Sequence, residues 1–173
     1  MVSRFLTITA MAAALNLPVG ADVVRAAPDG FQIHLVRSSD LPSNLQYARM
    51  ADLAAWWSPS HTYSGDAENL SLSSVSPGGQ WLETWDGGEV RHGEVIAVLH
   101  QGGNHMVRFD ASLGPLQGIG VEAVLTVSIS ADGAGSEVTM DYFVTGAGFQ
   151  ALNDIAPIVD GVLTEQIDRL VDP

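Results

Sequence analysis

QWLETWDGGEVRHGEV, Gln80 to Val95, reads as a β-hairpin. Asp86-Gly87-Gly88-Glu89 supplies the glycines that a tight turn needs for positive φ, which predicts Trp85 opposite Val90 and Glu83 opposite His92. Side chains alternate along a strand, so Trp81, Glu83 and Trp85 share one face with Val90, His92 and Glu94. A purely structural hairpin would fill such a face with apolar residues. Here a carboxylate and an imidazole become neighbours.

Working outward, glycine turns at Pro77-Gly78-Gly79, Gln101-Gly102-Gly103-Asn104 and Asp132-Gly133-Ala134-Gly135 extend the hairpin into a meander. Pairing His100 with His105 puts Val98 opposite Val107 and Ile96 opposite Phe109. Pairing Ile129 with Val138 puts Val127 opposite Met140 and Leu125 opposite Tyr142. Each register keeps the large apolar residues on the face of Glu83 and His92, although one β-bulge reverses the face beyond it.

Upstream, Phe31, Ile33 and Leu35 alternate with Gln32, His34 and Val36, the pattern of a half-buried first strand. Pro42-Ser43 then opens a segment whose apolar residues, Leu45, Met50 and Leu53 among them, fall at helical spacing up to Trp56-Trp57, predicting one or two short helices. The C-terminal FQALNDIAPIVDGVLTEQIDRLV predicts a long amphipathic helix. Pro157 is expected to kink or restart it. Gly161 costs about 1 kcal/mol relative to alanine and points to close packing, or to space beneath it.

The chain has 173 residues, 46% of them hydrophobic, which suits one domain with its own core. Its net charge of −13 arises from 20 acidic against 7 basic residues, every one an arginine, and argues against nucleic acid or an anionic membrane as partner. The absence of cysteine excludes a disulfide framework, a thiol nucleophile and thiolate-bound metal. At the N-terminus, Arg4, an apolar run from Phe5 to Leu15, Pro18 and Val19-Gly20-Ala21 form a secretory signal pattern, with a mature start near Asp22 or Ala27. Residues 1–26 are thus read as signal peptide and short extension, and 27–173 as the domain. The expected location is periplasmic or secreted, or cytoplasmic if the segment is not a signal. The apolar run is far shorter than the ~20 residues of a membrane span, and no later segment reaches that length, so no stable membrane insertion is expected.

ADLAAWWSPSHTYSGDAENLSL, PGGQWLETW, ASLGPLQGIGVEAVLTVSI and LNDIAPIVDGVLTEQIDRL together resemble bacterial proteins of the START-like, or SRPBCC, superfamily, in its polyketide-cyclase and heat-shock ATPase-activator-like branch. The resemblance covers the chain from Asp29 onward and rests on fold-level features rather than a catalytic signature. It implies an α+β helix-grip fold: a curved antiparallel sheet around a long C-terminal helix, two short helices after the first strand, and a cavity between sheet and helix for an apolar or amphipathic small molecule. The superfamily includes binders, cyclases, isomerases and proteins of unknown role, so the fold alone does not choose among them.

In that architecture the apolar sheet face is the cavity wall, which makes Trp81, Glu83, Trp85 and His92 candidate ligand contacts, with Phe109 and Tyr142 from the same face and Val159 from the helix. Indoles supply flat area and one N–H donor each, fitting an aromatic ligand. Trp56 and Trp57 read first as core plugs between helix and sheet, with Trp57 also a candidate contact. SHTYSGD places His61, Tyr63 and Asp66 on a loop at a mouth of the fold, and His61 joins the candidate set. Glu83 and His92 are the candidate catalytic residues: a neutral imidazole with its tautomer fixed by Glu83 removes a proton beside a carbonyl, as a cyclase, dehydratase or isomerase requires. The plainer reading is a cross-strand contact satisfying two polar groups. His100 and His105 flank a turn and read as exposed. The histidines lack metal-ligand spacing, GPLQGIG does not match a dinucleotide or phosphate loop, and no cofactor is implied. The first expectation is therefore a binder of a small hydrophobic or aromatic molecule, the second an enzyme of the same fold, and the third a chaperone-co-factor-like interaction protein without a ligand.

Overall fold

The computed structural model describes residues 22–172, so the signal pattern in residues 1–21 lies outside the described residues. Eight strands form one antiparallel sheet: β1 (Val23–Ala27), β2 (Gly30–Ser39), β3 (Leu70–Leu72), β4 (Gln80–Trp85), β5 (Gly88–Gln101), β6 (Asn104–Asp110), β7 (Glu122–Asp132) and β8 (Gly135–Thr145). Their order across the sheet is β1-β2-β8-β7-β6-β5-β4-β3. Helix α1 (Ser43–Ala51) and short 3₁₀ turns connect β2 to β3, and helix α2 (Leu152–Val171) closes the chain. The sheet is curved, and α2 packs on β2, β1 and β8.

Alternation places the core. Phe31, Ile33 and Leu35 of β2, Leu125, Val127 and Ile129 of β7, and Val138, Met140 and Tyr142 of β8 are all buried. Their partners match in kind: Ile33 faces Tyr142, Leu35 faces Met140 and Val127 faces Val107. Helix α2 lays Leu152, Ala156, Leu163, Ile167 and Leu170 on this surface, each large aliphatic side chain contributing roughly 1.5–3 kcal/mol of burial. The last carbonyls of α2 lack intrahelical partners. Gln46 Nε2 and Arg49 Nε of α1 both donate to Leu170 O at 3.0 Å, and an Arg49 terminal nitrogen donates to Arg169 O at 3.0 Å. Arginine at the negative end of a helix dipole is the favoured charge there. A buried Ser39 hydroxyl completes the array by donating to Gln46 Oε1 at 2.7 Å.

Several expected registers hold: His100 pairs with His105, Val98 with Val107, Ile129 with Val138 and Leu125 with Tyr142. The opening hairpin differs. Asp86-Gly87 forms a two-residue turn, with Gly87 at φ 99°, so Trp85 pairs with Gly88 and Glu83 with Val90, in place of the expected Trp85–Val90 and Glu83–His92 pairs. His92 is the extra residue of a β-bulge between the Leu82–Arg91 and Trp81–Gly93 pairs. Gly93 is required by close approach, because a Cβ there would lie 2.7 Å from that of Ala111 and 2.9 Å from Asp110 O. A second bulge at Ile96 puts Val95, rather than Ile96, opposite Phe109 and leaves Ile96 45% exposed.

Three further expectations change. Val23–Ala27 is not an extension: it pairs with β2 as β1, so the sheet begins at Val23 rather than at 27. Helix α2 runs unbroken through Pro157, whose ring faces solvent, so the helix does not restart there. Gly161 is exposed, and a Cβ on it would meet nothing within 4 Å, so close packing does not account for it.

Candidate functional site

Along one side of α2, a stripe of Ile155, Ile158, Val159, Val162 and Leu163 faces two loops across a cleft of about 550 Å³. One wall is Trp57 with Ser60–Tyr63, and the other is Leu113–Leu116 with Ile119. The lining is almost wholly apolar, and none of it comes from a strand. The interior expected to be hollow between sheet and helix is instead packed with aromatic bulk. Trp81 meets Trp57 edge-on at 4.8 Å and Phe109 at 5.8 Å between ring centroids, and Trp56 and Tyr142 are buried alongside.

Hydrogen bonds stitch both walls in place. Trp57 Nε1 donates to His61 O at 3.1 Å, and the Ser58 backbone N–H donates to Gln166 Oε1 of α2 at 2.8 Å. At the rim His61 Nε2 lies 2.9 Å from Glu165 Oε2. The Glu165 carboxyl is held below its ordinary value by the Ser58 hydroxyl and, against some desolvation, by His61. Across the cleft the Tyr142 hydroxyl donates to Ala111 O at 2.9 Å and accepts from the Leu113 N–H at 3.1 Å. Burial pushes that phenol well above its ordinary value, so it remains a donor at every ordinary pH. Gln117 Nε2 ties the same wall to Arg91 O at 2.7 Å.

Glu83 and His92 do meet, with His92 Nε2 2.8 Å from Glu83 Oε2, through the bulge rather than through direct pairing. They do not line the cleft. Glu83 is fully buried, and its oxygens accept the backbone N–H groups of Tyr63 at 3.1 Å and Ser64 at 2.5 Å. Burial pushes its carboxyl up, but the donors of Ser64, Tyr63 and His92 outweigh burial and hold it below the ordinary value. The ring of His92 packs between Tyr63 and Trp81, at 5.8 and 6.0 Å between centroids. On its other side it borders a separate polar groove with Arg91, Glu94, Asp110, Ser112 and Gln117. The pair therefore anchors, from behind, the loop that forms one cleft wall.

Of the residues singled out by sequence, Trp57, His61 and Val159 line the cleft. Trp81, Phe109 and Tyr142 lie in the packed layer beneath it, and Trp85 is half-buried over Gly88 at the hairpin tip. Sequence reasoning missed Leu113, Leu116 and Ile119, whose signal was apolar residues inside a Gly/Pro-rich loop that read only as a bend. His100 is exposed, with its Nδ1 2.8 Å from that of His105, on which Tyr47 stacks. Among the described residues no group of three or more His, Asp or Glu side chains is placed to hold a metal ion. No helix among them is long and apolar enough to cross a membrane.

The sequence matches no family model and no curated protein. Solved structures do match it. Norcoclaurine synthase from Thalictrum flavum aligns over 98% of this chain and 97% of its own, with a TM-score of 0.53 and 16% identity. A hypothetical protein from Helicobacter pylori aligns over 95% and 98%, with 0.55 and 11%. The Aha1 dimer from Colwellia psychrerythraea aligns over 82% and 93%, with 0.54 and 14%. At such identities the likeness is one of fold: this chain has the helix-grip fold, a curved antiparallel sheet with a long C-terminal helix.

Proposed function

We propose that this protein binds one small hydrophobic or aromatic molecule in the cleft between α2 and the loops at 57–63 and 113–119, in a carrier, sequestering or sensing role. The observation that carries the reading is the cleft's composition. It is an apolar slot with its polar groups gathered at one rim, where the His61–Glu165 pair and the half-exposed Tyr63 stand. A volume near 550 Å³ falls within the range of small-molecule sites, about 300–1,000 Å³. Burial of the ligand's apolar surface supplies affinity, and the rim orients any hydroxyl or carbonyl it carries. One structure of the plant norcoclaurine synthase holds dopamine and hydroxybenzaldehyde, so the fold accommodates small aromatic molecules.

The enzyme reading draws on one observation. His61 is the imidazole that lines the cleft, and a carboxylate fixes its Nε2. Proton transfer to a bound ligand is therefore assigned to His61 ahead of Glu83 and His92, whose facing atoms are already committed to each other and to the loop. Glu83 and His92 are positioning residues in this proposal.

The test uses the neutral fluorophore N-phenyl-1-naphthylamine together with native mass spectrometry of protein purified from its source. Enhanced fluorescence that is weakened about tenfold or more by Val159→Trp, which fills the cleft, is the expected result. Unchanged probe binding in that variant places the site elsewhere. Absence both of probe binding and of any co-purified small molecule rejects the proposal in favour of an interaction protein.

A further inference from the structure

One buried carboxylate has no role in the cleft. Asp160 lies on the side of α2 that packs against β1 and β2, is only 8% exposed, and has an Oδ1 without a hydrogen-bond partner among the described residues. An ionised carboxylate with an unfilled oxygen in such a place is costly. The backbone N–H of Asp22 lies near enough to this carboxylate to favour its ionised form. Asp22 also brings its own carboxylate near, and the cation close by, Arg37 of β2, is already bound through Nε to Asp168 at 2.6 Å. Burial first, and then the Asp22 charge, push the Asp160 carboxyl above its ordinary value, with Arg37 and the Asp22 N–H only partly opposing them. The site is short of one positive charge and at least one proton donor.

The sequence puts a candidate for both at that spot. Val19-Gly20-Ala21 is the small-residue pattern that leader peptidases cut after, and the next residue is Asp22. The other cut considered, between Ala26 and Ala27, would remove nearly all of β1, which pairs with β2 from Val23 onward and packs Val23 against the core. Cutting before Asp22 leaves the sheet whole. Asp22 is itself held, since its carbonyl accepts the His34 N–H at 2.9 Å.

We infer that the mature protein begins at Asp22 and that its newly formed α-ammonium pairs with the buried carboxylate of Asp160, fastening β1 to α2. The step is a hydrolysis: a leader peptidase adds water across the Ala21–Asp22 peptide bond, Ala21 leaves with a carboxylate, and the Asp22 amine takes up a proton. One peptide N–H is thereby exchanged for three N–H donors and a unit charge at a site short of both. The inference rests on the export reading and is independent of what the cleft binds.

The first test is the N-terminal residue of the protein isolated from its source: Asp22 is expected, while Ala27 or a chain retaining residues 1–21 overturns the inference. The second compares chains released from a cleavable fusion to begin at Asp22 with a free amine, at acetylated Asp22, or at Ala21. At pH 7 the blocked and extended chains are expected to melt about 5 °C lower. In an Asp160→Asn background, blocking the amine is expected to shift Tm by less than about 1 °C. Equal losses in both backgrounds overturn the pairing. The free-amine advantage belongs to a group whose pKa is raised on folding, so with Asp160 ionised it is full below the ordinary α-amino value of about 8 and is lost as the pH rises beyond it. An advantage independent of pH across that range also overturns it.

Discussion

Replacement of Glu83 by alanine removes the acceptor for two backbone N–H groups, those of Tyr63 and Ser64, and for the ring of His92. An unsatisfied buried donor costs about 1–3 kcal/mol. The loop can relax toward water, so the expected loss is about 3–4 kcal/mol, a large share of a stability of roughly 5–15 kcal/mol. Glu83→Gln keeps the volume but offers one acceptor oxygen and a donating amide where three donors converge, for a loss of about 1–2 kcal/mol. The pH profile distinguishes a charged brace from simple packing. Because the folded carboxyl sits below its unfolded value, its contribution is fully present above about pH 4.3 and is lost as the pH falls through the lower folded value. Urea denaturation of the wild type and both variants between pH 3 and 7 measures this directly. The wild type should lose the Glu83 contribution across that acid window, whereas Glu83→Gln should lack that component of the slope. A Glu83→Ala loss below about 0.5 kcal/mol, or an acid slope unchanged in Glu83→Gln, would refute the account of the loop anchor.

Tyr142→Phe leaves the Leu113 N–H and the Ala111 carbonyl without their shared hydroxyl and should cost about 1–3 kcal/mol in urea denaturation, with faster amide exchange along 113–119 than in the wild type. Gly161→Ala introduces a methyl into open space on an exposed helix position and should raise stability by about 0.4–1 kcal/mol, measured as a higher Tm with unchanged cleft affinity.

The order of elements and the helix-grip class were legible because glycine turns and strict alternation specify antiparallel registers. Val98 with Val107 and Ile129 with Val138 needed nothing more. The middle of β5 was not legible. Each bulge adds one residue and flips the face, so only 93–95 fall out of phase, and the second bulge restores it for Val98 and His100. Alternation also names a face without giving its depth. Trp81, Phe109 and Tyr142 do point inward, yet their combined volume fills the interior, and the open space moves to the loops. Apolar loop residues such as Leu113 and Ile119 carry no period to be read, and Val23–Ala27 was hidden by its neighbouring signal pattern. Glu83 and His92 were found together through a register that is wrong by two residues and corrected by a bulge, which is why their contact was legible and their distance from the cleft was not.

The first hairpin joins the rest of the sheet along a seam between β2 and β8, where Gly30 lies beside Thr145 and Ser39 beside Ser136. More than half of the chain separates these partners, and closing such a span is entropically slow. Until Thr145 has been synthesised, β2 has no neighbour on that side, β1 has only β2, and α2 does not yet exist to cover either. The topology thus postpones completion of the fold until β8 and α2 are in place. A chain that joins its first hairpin to its last strands leaves one side of β2 open until β8 arrives, so the sheet closes as a late step of folding.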